Sequence, residues 1–211
     1  MAKNYKLLFI VLCIGICIGY ALTYIGHHSN KIRRKTIDAN TYEFTSYQDS
    51  IRLEVQKTYR GESHVREKTG KNDGKRIEEY LASVNRKKGD PYCAAGVSWV
   101  FMQHDIQTVK SAWSPAWFPD SITIYHRDRF LHQNPDIADV LGIYVRQKKR
   151  IGHVGFIDEY WNNGSPYINT FEFNTSGSGS DEGEGNYHLR RLKSQIYKVS
   201  SPISKLWERV V

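Results

Sequence analysis

Three regimes of apolar patterning divide the chain. Leu7–Ile25 (LLFIVLCIGICIGYALTYI) runs 19 residues without a charge. As a helix it would measure roughly 28 Å, close to a hydrocarbon core of about 30 Å. It is longer than the roughly 7–15 apolar residues of a signal peptide, so residues 1–25 are expected to form an uncleaved single-pass membrane anchor. Small residues at Gly19 and Ala21 leave a cleaved signal segment as the alternative. Residues 26–40 (GHHSNKIRRKTIDAN) are polar and basic and read as a linker.

The second regime has helical spacing. Phe44, Ile51 and Val55 fall on one side of a helix over Thr41–Arg60, which Gly61 ends. A turn-rich stretch, Glu67–Gly74, precedes a helix from Lys75 to Val84, with Asn72 or Asp73 as its expected cap. The turn Gly89-Asp90-Pro91-Tyr92 leads into an uncharged, buried helix over Cys93–His104. Residues 111–136 hold three of the six prolines and read as irregular, with one short helix.

From Asp139 the period falls to two. Strands are expected at Val140–Gln147, Gly152–Tyr160, Tyr167–Asn174, Tyr187–Leu192 and Gln195–Val199, with a hairpin turn at Asn163-Gly164. Ser176–Asn186 (SGSGSDEGEGN) reads as a flexible acidic loop. Helices first and strands second indicate an α+β domain over 41–211, core 62–201, with helices packed on an antiparallel sheet.

Composition narrows the class. The 211 residues suit one domain and an appendage, and 14 Tyr, 8 Phe and 5 Trp can build a core. Three cysteines, two of them inside the apolar run, exclude a disulfide-stapled mini-protein. The net charge of +8 indicates an anionic partner, but the basic residues are scattered, so specific nucleic-acid binding has no support. No zinc ligand set, phosphate-binding loop or dinucleotide fingerprint is present, and no cofactor is expected. Asp181, Glu182 and Glu184 do not have the spacing of a complete oxygen-ligand loop, so no metal site is expected. His27 and His28 read as a solvated pair beside the anchor.

Candidate chemistry centres on Cys93, the only cysteine outside the apolar run. It opens a helix, where the positive end of the dipole lowers a thiol pKa, although an inert core cysteine would look the same in isolation. His153 heads an apolar strand between Gly152 and Gly155. Glu172 and Asn174, two apart, project from one face of the next strand, and either can orient an imidazole.

A helix-opening cysteine, then a histidine and a polar residue on successive strands, is the plan of papain-like cysteine hydrolases. On the blocks VREKTGKNDGKRIEEYL, GDPYCAAGVSWVF, and RIGHVGFI followed by TFEFNTSGSG, the chain resembles the CHAP domains, the cysteine- and histidine-dependent amidohydrolases/peptidases of bacterial and phage cell-wall hydrolases. The likeness spans about Val65 to Ser201. It implies a papain-like fold, with Cys93 as nucleophile, His153 as base, and Glu172 or Asn174 as third residue, Glu172 ahead. Glu67 and Asn72, from the first block, and Tyr92 would line the substrate cleft. Two positions depart from the pattern: Tyr92 stands where a tryptophan is frequent, and Gly96 where a bulky aromatic is usual. A helix-interior glycine costs about 1 kcal/mol against alanine, and Gly96 is expected to loosen the packing behind Cys93.

The resemblance implies a membrane-anchored hydrolase of peptidoglycan, cutting the muramoyl–L-alanine amide or an amide of the stem peptide or cross-bridge. The substrate requires a periplasmic or extracellular domain. Lys31, Arg33, Arg34 and Lys35 after the span, against Lys3 and Lys6 before it, favour the opposite orientation. A catalytically silent wall-binding or assembly module of the same fold is the alternative. A cytoplasmic-facing amidase acting on small conjugates is the third reading.

Overall fold

A computed structural model describes residues 39–180 and 182–204. The anchor expected over 1–25 lies outside the described residues. So does the linker, apart from Ala39 and Asn40, which open the first helix. Among the described residues no helix is long and apolar enough to cross a membrane. The described residues from Phe44 onward form one compact unit.

Three helices precede most of the sheet: α1 (Ala39–Gly61), α2 (Lys75–Ser83) and α3 (Cys93–Met102). Seven strands follow: β1 (Thr123–His126), β2 (Arg129–Phe130), β3 (Val140–Val145), β4 (Arg150–Ile157), β5 (Tyr167–Thr175), β6 (Gly185–Leu192) and β7 (Lys198–Ser200). They form one antiparallel sheet in the order β2-β1-β7-β3-β4-β5-β6. The architecture is therefore α+β with helices and sheet segregated, as the change of period indicates.

Strand alternation divides the core. Val140, Val154, Phe156, Phe171 and Phe173 join Tyr59, Tyr80, Val97 and Phe101 from the helices in one buried cluster. Leu141, Ile157 and Ile168, neighbours of opposite parity, join Trp161, Ile196 and Val199 in a second. Charge fixes α1 to the sheet. Arg52, 4% exposed, donates to Asp139 Oδ1 at 2.7 Å and to the Ile137 carbonyl at 2.6 Å. One turn on, Gln56, Tyr59 and Arg60 all donate to Asp158 Oδ1 at the end of β4.

Several local expectations need correction. The helix at Lys75 has no side-chain cap: Asp73 instead binds Thr69, taking its N–H at 2.8 Å and its hydroxyl at 2.9 Å. Asn163-Gly164 does lie in the hairpin between β4 and β5, but in a longer loop than the expected strand ends leave. It sits within a nine-residue β4–β5 connection, where the Asn163 side chain accepts the Ser165 N–H at 3.0 Å. The irregular 111–136 stretch contains, besides its short 3₁₀ turn at Ser114–Trp117, strands β1 and β2.

Gly96 does the reverse of loosening the core. The Phe173 ring occupies the space of the missing side chain, and a Cβ at Gly96 would lie 2.4 Å from it. Close approach of α3 to β5 depends on that absence. Gly96→Ala gains about 1 kcal/mol of helix propensity but forces an overpacked contact costing about 1–3 kcal/mol. A net loss of stability is expected, read as a lower urea midpoint at unchanged slope.

Candidate active site

Cys93 is the first residue of α3, delivered by a turn tied to the first motif block: the Gly89 N–H donates to the Asn72 carbonyl at 3.1 Å, and the Asn72 amide donates to the Gly89 carbonyl at 3.2 Å. The first intrahelical bond runs from the Gly96 N–H to the Tyr92 carbonyl at 2.8 Å. The N–H groups of Cys93, Ala94 and Ala95 consequently have no acceptor within the helix. Their partial positive charge surrounds the sulfur.

His153 and Glu172 meet because a glycine stands between them. Gly155 is directly opposite Glu172 in the β4–β5 register, which puts His153 one diagonal step away on the same face. A Cβ at Gly155 would lie 2.6 Å from Glu172 Cγ, so only glycine lets the carboxylate lean across to the imidazole. His153 Nε2 donates to Glu172 Oε2 at 2.8 Å, both side chains being fully buried. Behind Glu172, Arg191 from β6 closes a two-pronged pair: Nε to Oε1 at 2.6 Å and Nη2 to Oε2 at 2.5 Å. The Thr170 hydroxyl donates to Oε1 at 2.7 Å. Burial pushes the Glu172 carboxyl up, but Arg191 and then His153 pull it down to about 2. An ionised carboxylate only accepts, so Nε2 carries a proton and Nδ1 is the nitrogen that exchanges one.

The sulfur enters where two strands part. β4 is paired with β5 only over Gly155–Ile157, and β5 changes register between Glu172 and Thr175, where Asn174 adopts φ +53°. Beside that gap the Ser114 hydroxyl lies 3.6 Å from Cys93 Sγ, with the Val154 backbone nearby. Burial raises the thiol pKa, but His153, with Ser114 and Val154, brings it below its ordinary 9.0. Burial lowers His153 in turn, while Cys93 and Glu172 outweigh this and raise it to about 9. Both shifts act in the direction that favours a thiolate–imidazolium pair.

The structure thus joins His153 to Glu172 by a hydrogen bond and couples Cys93 to His153 by charge, His153 Nδ1 having no hydrogen-bond partner among the described residues. Asn174 does not touch His153. Its amide is buried, with neither atom bonded to a partner among the described residues, and its left-handed backbone makes the bend that opens the gap. Tyr92 is fully buried and stacks against Tyr80. Its hydroxyl lies near Glu67 and the Asn174 N–H, without hydrogen-bond geometry to either. Glu67, half-buried, accepts the Asn72 N–H at 2.9 Å, and burial raises its pKa. Glu67 and Asn72 therefore brace the turn in front of Cys93. The loop residue Asp181 lies outside the described residues. Among those described, no three His, Cys, Asp or Glu side chains are placed to hold a metal ion.

Two residues of the site escape a reading of the sequence. Ser114 follows an unpatterned stretch, and only its Pro115 neighbour marks a turn. Arg191 lies on β6 directly after Arg190, and nothing in the sequence separates the inward arginine from the solvated one. Searches of protein-family models, curated proteins and solved structures return no match to this chain.

Proposed function

We propose that this protein is a cysteine-dependent amidohydrolase of peptidoglycan, with a papain-like, CHAP-type domain held at the membrane by its N-terminal apolar segment and facing the wall. The observation that carries the reading is the series Cys93, His153, Glu172 and Arg191, in which the thiol is charge-coupled to the imidazole and the imidazole and guanidinium both bind the carboxylate. A core cysteine has no use for an imidazole held in one tautomer by a carboxylate that is itself clamped by a guanidinium. Unpartnered buried atoms on His153, Asn174 and Tyr92 add weight. Each costs about 1–3 kcal/mol when left dry, a cost typical of sites that await a polar ligand.

In this reading the Cys93 thiolate attacks the amide carbonyl. The negative charge that develops on the carbonyl oxygen meets the free N–H groups of the first turn of α3. His153 Nδ1–H protonates the departing amine, leaving a thioester on Cys93. Neutral His153 then takes a proton from water, which attacks the thioester and releases the acid and the free thiol.

One observation favours the silent-module reading: Cys93 is only 4% exposed and His153 is fully buried. A single experiment separates the two. Full-length protein and its Cys93→Ala variant are incubated with purified peptidoglycan of several chemotypes, and soluble products are identified by mass. Fragments released only by the wild type establish the hydrolase, and their new termini identify the bond. Wall binding by both proteins with no release would overturn catalysis in favour of a binding module.

A further inference from the structure

Beside the thiol stands a pair that the catalytic relay does not use. Trp113 immediately precedes Ser114, whose hydroxyl lies 3.6 Å from Cys93 Sγ, and its indole is 53% exposed. The guanidinium of Arg150, at the start of β4, stacks 4.0 Å from the centre of that ring. Arg150 is three residues before His153, so its backbone is about 10 Å from the base along the strand. The two elements that supply Ser114 and His153 therefore also supply the indole and the guanidinium.

The pair is preformed. The Ser111 N–H donates to the Ser98 hydroxyl on α3 at 3.1 Å, and that hydroxyl donates to the Ser111 carbonyl at 3.2 Å. The Trp113 N–H donates to the Ser111 hydroxyl at 3.0 Å. The loop bearing Trp113 is thus pinned to the same helix that bears Cys93. Arg150 donates once, to the Ile151 carbonyl at 2.9 Å, and pairs with no carboxylate among the described residues. Stacking on the indole fixes the plane of the guanidinium and leaves the donors along its edge unmatched, the arrangement that receives a planar anion through two parallel bonds.

We infer that Trp113 and Arg150 form a specificity subsite for a carboxylate carried by the substrate close to its scissile amide, so that the enzyme prefers stem peptides with a free acid over amidated ones. The inference rests on the hydrolase reading for the identity of the substrate, but its test does not depend on turnover. Full-length protein carrying Cys93→Ala binds two soluble disaccharide–peptides that differ only in whether the α-carboxyl of the stem's acidic residue is free or amidated. The free acid should bind about tenfold more tightly, as a charge-assisted hydrogen bond provides.

Adding Arg150→Gln should erase that preference while the thermal midpoint holds, and Arg150→Lys should restore part of it. In the active protein, Arg150→Gln should raise KM for the free acid with little change in kcat. Equal affinity for the two ligands, or a preference that survives Arg150→Gln, overturns the subsite. If the preference is present while peptidoglycan is never cleaved, the subsite stands and the hydrolase reading fails. Cleavage without preference has the opposite meaning.

Discussion

Glu172→Gln is expected to slow hydrolysis by about 10³–10⁴-fold and to destabilise the fold by about 3–5 kcal/mol. Both losses come from one position, because Glu172 accepts from His153, Arg191 and Thr170 at once. An amide supplies one oxygen for these donors and turns its own N–H₂ toward the rest. His153 then loses the partner that fixes Nε2–H, and the nearly buried Arg191 guanidinium keeps its charge without a counter-ion.

The two effects can be separated. Combining Glu172→Gln with Arg191→Met removes the stranded charge, and most of the stability should return while the rate stays low. A double-mutant cycle in urea, with peptide release measured in parallel, checks this. Acid provides a further check. The Glu172 carboxyl lies at about 2, against 4.5 ordinarily. Its contribution to stability is complete above pH 4.5 and is lost as pH falls toward 2. In Glu172→Gln that part of the acid limb should be absent. Equal stability of wild type and Glu172→Gln at pH 7 would mean that the clamp carries no energy.

How much of this the sequence reveals depends on the range of the forces involved. Local patterns mark α1, α2 and the strands from Val140 onward by their apolar periods, and α3 by an uncharged run that is buried nearly all round. Cys93, His153 and the pair Glu172 and Asn174 are singled out by their order along the chain and by the family resemblance that this order carries. What is not legible is decided across distance. Whether Glu172 or Asn174 faces His153 depends on Gly155 standing opposite one of them, a matter of register between strands. Arg191 is invisible because its partner lies 19 residues away on another strand. Strands β1 and β2 are short, and the irregular segment around them carries prolines that mask any alternation. Gly96 misleads for the same reason: a helix-propensity argument takes no account of the Phe173 ring that fills the space.

The pH dependence follows from the coupling of Cys93 to His153. With the thiol below 9.0 and the imidazole raised to about 9, the reactive ion pair exists in the interval between their two titrations. Those titrations belong to the pair as a whole. Alkylation of Cys93 by iodoacetamide needs only the thiolate, so it should rise through the acid step and stay on its plateau above pH 9. Hydrolysis needs the imidazolium too, to protonate the leaving amine, and should therefore fall as pH passes about 9. The same imidazolium stabilises the fold below pH 6.5, and that contribution drains away as pH rises toward 9. In His153→Asn the charge that does most to lower the thiol is gone while burial still raises it, so the acid step should move to higher pH. Alkylation should slow at least about tenfold, after allowing for the greater intrinsic nucleophilicity of a more basic thiolate. Near-UV circular dichroism identifies a misfolded variant, and the wild-type contrast between the two profiles stands without it. Should alkylation and hydrolysis decline together above pH 9, or the acid step of His153→Asn coincide with that of the wild type, His153 would not be the partner of Cys93.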